Sequence, residues 1–391
     1  MSRFIAIPVS QGDAFYLEIP QGSVLVDGGR CIWGFHQLFS LHTGEKGVDI
    51  LVATHNDADH ANGVLGFLKA GLDARELWLP GRWAQVLPYA LRPWEEVVIL
   101  LLEGIRSVSD QISGAEGEGT ALEQYGNTVR EVRWEEAGIW ECDESGWPIE
   151  AIALLEQAAE DEPDEETFWL YLQSVVLYWR DWFPLYVSGP IGNRLLRKAL
   201  VAAARIRMIA LEAFRRGIRV RWFEYSGQPS GGNGWFRPLN AKEVASIRIL
   251  RWRSDAETFL MMLALTTVNK ESLVLWASTD ECPGVLFTAD SDLRGIHLPS
   301  ANGPIITAPH HGSEANKSAY QAIARSDISK PIWVRSDGRS RRRPCVDYLY
   351  APGKKFCTLC RNSGLPKQAV RLYEKSKIWV RCPGIRLCSC T

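Results

Sequence analysis

The sequence has seven histidines in 391 residues and none at all between His60 and His297. Imidazole is therefore scarce, and any cluster of it carries weight. Long hydrophobic runs are also missing. The most apolar window, FWLYLQSVVLYW (168–179), is broken by Gln173 and Ser174 and followed by Arg180 and Asp181. A membrane span needs about 20 apolar residues, so this window reads as a buried helix rather than a span, and no membrane association is expected. The opening MSRFIAIPVSQGDAF has no apolar h-region and no small-residue cleavage site. No signal peptide is expected. The chain reads as cytoplasmic, with its nine cysteines mostly reduced. No repeat of fixed period occurs, which excludes solenoids and propellers.

What is present is a globular composition, 46% apolar and 23% charged, with sixteen tryptophans for large buried or partner-facing aromatic surfaces. The net charge of −2 hides an asymmetry. Residues 95–166 hold 21 acidic and 3 basic residues, which leaves 41 basic and 25 acidic elsewhere. A basic body bearing an acidic segment suits a polyanionic substrate or partner. Strands are predicted at 4–9, 14–19, 23–27, 48–53, 218–225, 272–277, 284–289, 304–308 and 331–335, with helices from 63 to 72, over 194–216 and over 316–325. The block 84–190 reads as mostly helical, and the tail as short and irregular. Strands, helices and strands again make an α/β layered sandwich.

Polar residues of one chemical kind lie just past the strand ends. These are Asp27; His55, Asp57, Asp59 and His60 in THNDADH; Asp290 in FTADSD; and His310 and His311 in APHHGS. Loops after strands gather side chains on one sheet edge, and imidazole with carboxylate there suits a pair of divalent metals. An aspartate from a distant strand can bridge two ions. The tail adds Cys357-x-x-Cys360 and Cys388-x-Cys390, a pattern that fits a structural zinc or four unligated thiols. Arg341, Arg342 and Arg343 form a basic loop suited to a phosphate backbone or to solvent.

These pieces resemble the metallo-β-lactamase superfamily, whose signature turn is His-x-His-x-Asp-His. More narrowly they resemble the soluble hydrolase domain of ComEC-type DNA-uptake proteins. QGDAF (11–15), VDGG (26–29), the TH-x-D-x-DH turn (54–60), NKESLVL (269–275), FTAD (287–290) and PHHGS (309–313) occur in order. The resemblance covers about 1–80 and 218–350, without the membrane channel, the acidic block or the tail. It implies an αββα sandwich with a large helical acidic insertion. The expected divisions are 1–83 and 191–350 for the two halves, 84–190 for the insertion and 351–391 for a Cys-rich tail.

It also implies roles. His55 and Asp57 hold one metal, Asp59 and His60 the second, and Asp290 bridges. One or both of His310 and His311 complete the second site or donate to the leaving group. His310 is favoured as ligand, and Asp59, Asp290 and His311 as catalytic groups. Asp27 orients the signature turn. Ser313 contacts substrate or caps the helix that follows it. The superfamily's additional histidine between signature turn and bridging aspartate is absent. With Asp57 where a histidine is usual, the site is oxygen-rich, which tilts it from zinc toward manganese first, then magnesium. The expected function is a two-metal phosphodiesterase, a nuclease acting on nucleic acid. The alternatives are a hydrolase of another phosphoester, or an effector subunit silent until a protein partner docks on 84–190. An anti-phage defence effector would fit the stand-alone form.

Overall fold

The computed structural model describes residues 2–112, 135–161, 189–251, 255–265, 271–280, 282–338, 340, 342–360 and 366–390. The chain forms two compact units. The first comprises residues 1–81, 218–244 and 269–391, and the second residues 82–217 and 245–268.

The first unit is built on two sheets. A nine-stranded sheet runs, in spatial order, Ile378–Arg381, Val370–Lys375, Arg3–Ala6, Phe15–Ile19, Gly22–Val26, Gly47–Val52, Asp73–Pro80, Arg219–Tyr225 and Ala241–Val244. A six-stranded sheet runs Lys354–Cys357, Ile332–Arg335, Ile305–Thr307, Val285–Phe287, Leu275–Ala277 and Phe236–Pro238. Strand periodicity divides the apolar residues between layers. Phe4, Phe15, Leu17, Val24, Val26, Ile50 and Val52 of the first sheet meet Leu275, Ala277, Val285, Phe287, Ile305 and Val334 of the second in one core. The alternate residues Val274, Trp276, Leu286, Ile306 and Trp333 point outward, onto Ala319, Tyr320 and Ile323 of helix Lys317–Ala324 and onto Tyr348. On the outside of the first sheet, Tyr16 meets Phe39 of helix Phe35–Thr43, which meets Phe67 of helix Ala58–Lys69 (ring centroids 5.9 and 5.2 Å). The result is an αββα sandwich, as expected.

Several elements differ from the sequence reading. The helix expected from residue 63 starts at Ala58 and so contains Asp59 and His60 of the signature. Strand Asp73–Pro80, not anticipated, has a polar outer half (DARE) and a buried end at Leu77–Leu79. The tail is not irregular. Lys354–Cys357 extends the second sheet, while Val370–Lys375 pairs with the N-terminal Arg3–Ala6 and with Ile378–Arg381. Its alternating Val-Arg-Leu-Tyr-Glu-Lys pattern is that of a strand buried on one face only.

The second unit contains helices Gly81–Ala90, Trp94–Ile112, Ile149–Asp161, Gly189–Arg215 and Asp255–Ala264, and a two-stranded sheet of Glu135–Glu141 with Ser246–Arg251. Its limits therefore differ from 84–190: the helix expected at 194–216 belongs to it, as do residues 245–268. That helix is not simply a basic surface. Arg205 and Arg207 are buried, and Arg207 donates to the carbonyls of Ala90 and Arg92 at 3.0 and 2.7 Å, satisfying carbonyls that a helix end leaves open. The window 168–179 lies outside the described residues. Among those described, no helix is long and apolar enough to cross a membrane.

Candidate metal centre

The parallel pairs Gly22–Val26 with Gly47–Val52, and Val285–Phe287 with Ile305–Thr307, lead into loops that carry Asp27, His55, Asp290 and His310 respectively. Carboxyl ends of parallel strands are where α/β sheets present functional loops. Local backbone then aims each side chain. Asp57 is the N-cap of helix Ala58–Lys69, in extended conformation, yet its side chain makes no capping bond. Its carboxylate faces His55 instead. Asp59 occupies the helix's first turn, where the macrodipole favours negative charge.

Non-glycine residues with positive φ concentrate here: Asp27 (59°), Ala289 (45°), His310 (46°) and His311 (55°). Each left-handed residue costs roughly 1–2 kcal/mol, and such strain marks functional sites. Its effect is clear at His310-His311. Adjacent strand residues point to opposite faces, but two consecutive left-handed residues bring both rings to Asp290. Gly28 and Gly63 allow the VDGG loop to lie on the signature helix, since a Cβ on either would fall under 2.5 Å from the other's backbone.

Asp290 divides the cluster into two lobes. Its Oδ2 lies 3.6 Å from His55 Nε2 and 3.4 Å from His310 Nε2, and His55 Nε2 lies 3.7 Å from Asp57 Oδ2. Its Oδ1 lies 3.2 Å from His60 Nε2 and 3.8 Å from His311 Nε2, which is 3.4 Å from Asp59 Oδ2. Ligand atoms about 2.1 Å from a tetrahedral ion stand roughly 3.4 Å apart, the spacing seen in both lobes. The side chains of Asp57 and His310 are 25% and 27% exposed, while those of His60 and His311 are fully buried. The His55 lobe therefore faces solvent.

Each imidazole is held from behind at Nδ1. His60 Nδ1 lies 2.8 Å from Asp27 Oδ2, His311 Nδ1 3.0 Å from Asp13 Oδ1, His310 Nδ1 2.9 Å from Asn316 Oδ1, and His55 Nδ1 3.0 Å from Thr54 Oγ1. Thr54 Oγ1 itself donates to Asp27 Oδ2 at 2.8 Å, so it accepts from His55. With Nδ1–H donating in all four, every Nε2 presents a lone pair to the centre. This is the tautomer a metal requires. Gln11 Nε2 donates to Asp59 Oδ2 at 3.1 Å.

The electrostatics show a cluster built around positive charge. Burial and the neighbouring His60 oppose protonation of His55, yet Asp290 and Asp57 carry it up to about 9. Burial likewise opposes protonation of His60 and His311, but carboxylates lift both well above the ordinary value: Asp290 and Asp27 for His60, Asp13 and Asp59 for His311. Burial opposes ionisation of Asp290, and His60 with His55 holds its carboxyl well below the usual range. Asp59 is depressed in the same way by His311 and His60. The same carboxylates that raise these rings would favour a bound cation. The buried Nε2 atoms of His55, His60 and His311 make no hydrogen bond in the protein. Such atoms fit ligation by divalent ions and are costly otherwise.

The structure thus gathers His55, Asp57, Asp59, His60, Asp290, His310 and His311. It places the adjacent histidines differently from the sequence reading. His311, rather than His310, stands beside Asp59 and His60. His310 faces the other lobe, on the Asp290 oxygen that also faces His55. Ser313 accepts from Ala315 N and caps the turn Glu314–Asn316. Arg343 is paired with Asp337 at 3.1 Å, Arg342 is exposed, and Arg341 lies outside the described residues. Asp13, Thr54, Asn316 and Gln11 were not anticipated as supports. Asp13 sits in QGDAF, where Gln-Gly-Asp reads only as a turn. Elsewhere in this unit Cys357, Cys360, Cys388 and Cys390 also come together, with all Sγ atoms within 4.8 Å of one another.

Residues 7–75 match a family model described as the metallo-beta-lactamase superfamily, a span that holds Asp13, Asp27 and the whole THNDADH turn. The αββα architecture and the Asp/His cluster are consistent with that class of metal-dependent hydrolase. No curated protein matches the chain.

Proposed function

We propose that the protein is a metal-dependent phosphodiesterase that cleaves nucleic acid. The observation that carries this reading is the division of seven ligands into two lobes by the single carboxylate of Asp290. Divalent ions held by these residues would supply Lewis acidity and an acidified water for phosphodiester hydrolysis. Three carboxylates among the ligands favour a hard ion, manganese first, with magnesium or zinc as alternatives.

The chain's own groups do the rest. Asp290 sets the separation of the lobes. Asp13, Asp27, Thr54 and Asn316 hold the four rings, and Gln11 holds Asp59. The exposed His55 lobe is the face open to substrate. Charge supports a polyanion: the first unit has 28 basic and 21 acidic residues, the second 16 and 25. Cys345 N donates to Gly312 O at 2.8 Å, which ties the segment of the exposed Arg342 to the His310-His311 turn. There a guanidinium meets a phosphate backbone.

The test is to strip the protein with chelator, restore manganese, magnesium or zinc separately, and follow single- and double-stranded DNA, RNA and a chromogenic phosphodiester. Manganese is expected to restore cleavage, and Asp57→Ala and Asp290→Ala to abolish it. Bound metal without turnover of any substrate would sink the proposal.

A further inference from the structure

The four cysteines come as two close pairs, Cys357 with Cys360 and Cys388 with Cys390, from separate stretches of the chain, and they lie outside the Asp/His centre. Cys357 ends strand Lys354–Cys357 and is buried, while Cys360 follows on the next turn with its Sγ 3.0 Å from that of Cys357. Cys388 and Cys390 arrive from the C-terminal segment. None of the four is in a disulfide. A zinc tetrathiolate with bonds of about 2.3 Å has sulfurs roughly 3.8 Å apart, so four Sγ atoms within 4.8 Å need only small shifts, the Cys357–Cys360 pair opening from 3.0 Å.

Three further features point to ligation. Ser389 N donates to Cys360 Sγ at 3.4 Å, a backbone bond that stabilises thiolate character. Arg335, 2% exposed, directs Nη2 to Cys390 Sγ at 3.7 Å, placing a buried cation against a group that becomes anionic on ligation. The backbone already registers the two segments: Cys388 N donates to Lys355 O at 2.8 Å, and Gln368 Nε2 donates to the carbonyls of Cys357 and Arg386, both at 3.2 Å.

We propose that Cys357, Cys360, Cys388 and Cys390 bind one zinc ion as a tetrathiolate that fastens the C-terminal segment to the second sheet. Each thiol releases its proton to solvent, and the ion needs no redox partner. Four sulfurs fill a tetrahedral ion, so this site has no position for substrate. Its role is mechanical. Arg335 joins it to the loop 335–338, where Ser336 Oγ donates to Gly12 O at 2.8 Å. Gly12 precedes Asp13, which holds His311. The zinc therefore stiffens the platform beneath the Asp/His centre without contributing a ligand to it.

The experiment is zinc analysis with zinc K-edge X-ray absorption on the full chain purified under reducing conditions. The expected spectrum has four sulfur neighbours at about 2.3 Å and a single equivalent of zinc in the Asp57→Ala/Asp290→Ala protein, whose other centre is disabled. Cys388→Ser/Cys390→Ser should lose that equivalent and unfold at lower temperature. If this variant does not fold, the spectrum of the Asp57→Ala/Asp290→Ala protein still decides. Absence of sulfur-bound zinc, iron in its place, or a Cys357–Cys360 disulfide in the reduced preparation would each overturn the proposal.

Discussion

In the Asp/His centre three carboxylates and four imidazoles converge with one lobe partly exposed to solvent, whereas the cysteine cluster closes four thiols on one another. Both lie in the same compact unit, and both use chain segments distant in sequence. The first is built for exchange. Its ligands are hard, one side is open, and each ring is set by a separate acceptor. The second is soft and leaves no vacant coordination position. Ligand type and openness together separate a place for chemistry from a place for fastening.

The most severe disruption of this contrast is Asp290→Ala, which removes the group shared by both lobes. Loss of a two-ion clamp costs several kcal/mol of transition-state stabilisation, so phosphodiester turnover should fall on the order of 10³-fold or more while circular dichroism is unchanged. The cysteine-bound equivalent of zinc should survive. Next in size is Asp13→Ala, which deprives His311 Nδ1 of its acceptor. A lost support behind a ligating histidine costs about 10- to 100-fold in metal affinity or activity. Metal titration by calorimetry should show that loss in the His60 lobe. Wild-type affinity would mean that Asp13 does not hold His311 for ligation.

A third disruption is pH. In the metal-free protein His55, His60 and His311 protonate more readily than in the unfolded chain, so their stabilisation is complete below the ordinary value of 6.5 and fades as pH rises through about 9 for His55. Asp59 and Asp290 have the opposite sign: their contribution is present above the ordinary carboxylate value of 3.8 and is lost in acid. Metal-free stability should therefore peak between these limits. Metal needs the deprotonated rings, so loading should move the optimum to the alkaline side. Melting temperatures measured with and without metal from pH 4 to 10 check this, and coincident profiles would refute it. The smallest effect belongs to Ser313→Ala, about 0.5 kcal/mol for a cap on a short turn, with metal content unchanged.

Much of this site is legible because metal ligands are chemically rare and fall after apolar strands. THNDADH, FTAD and PHHGS announce themselves in a chain with so few histidines. The supports are not legible in the same way. Thr54, Asn316 and Asp13 are ordinary turn residues, and only the folded backbone shows which ring each stands behind. Nor does sequence separate His310 from His311, because their division between lobes depends on two left-handed residues in succession, a conformation with no composition signal outside glycine. Among the strands, Asp73–Pro80 and Val370–Lys375 were missed for one physical reason: each carries charged residues on an outward face, which dilutes the apolar pattern. The helix Gly189–Arg215 was recognised, but its unit was not, because periodicity reports a buried face and not what covers it.

The pairing of Arg3–Ala6 with Val370–Lys375 has a consequence for how the protein is made. Arg3–Ala6 cannot complete its place in the sheet until Val370–Lys375, several hundred residues further along the chain, has been translated. At about 5–20 residues per second, the growing chain spends tens of seconds with that strand edge open, the template on which chains aggregate. Asp13 likewise waits for His311, some three hundred residues further along the chain. A product truncated before residue 370 keeps that edge open and is an aggregation hazard.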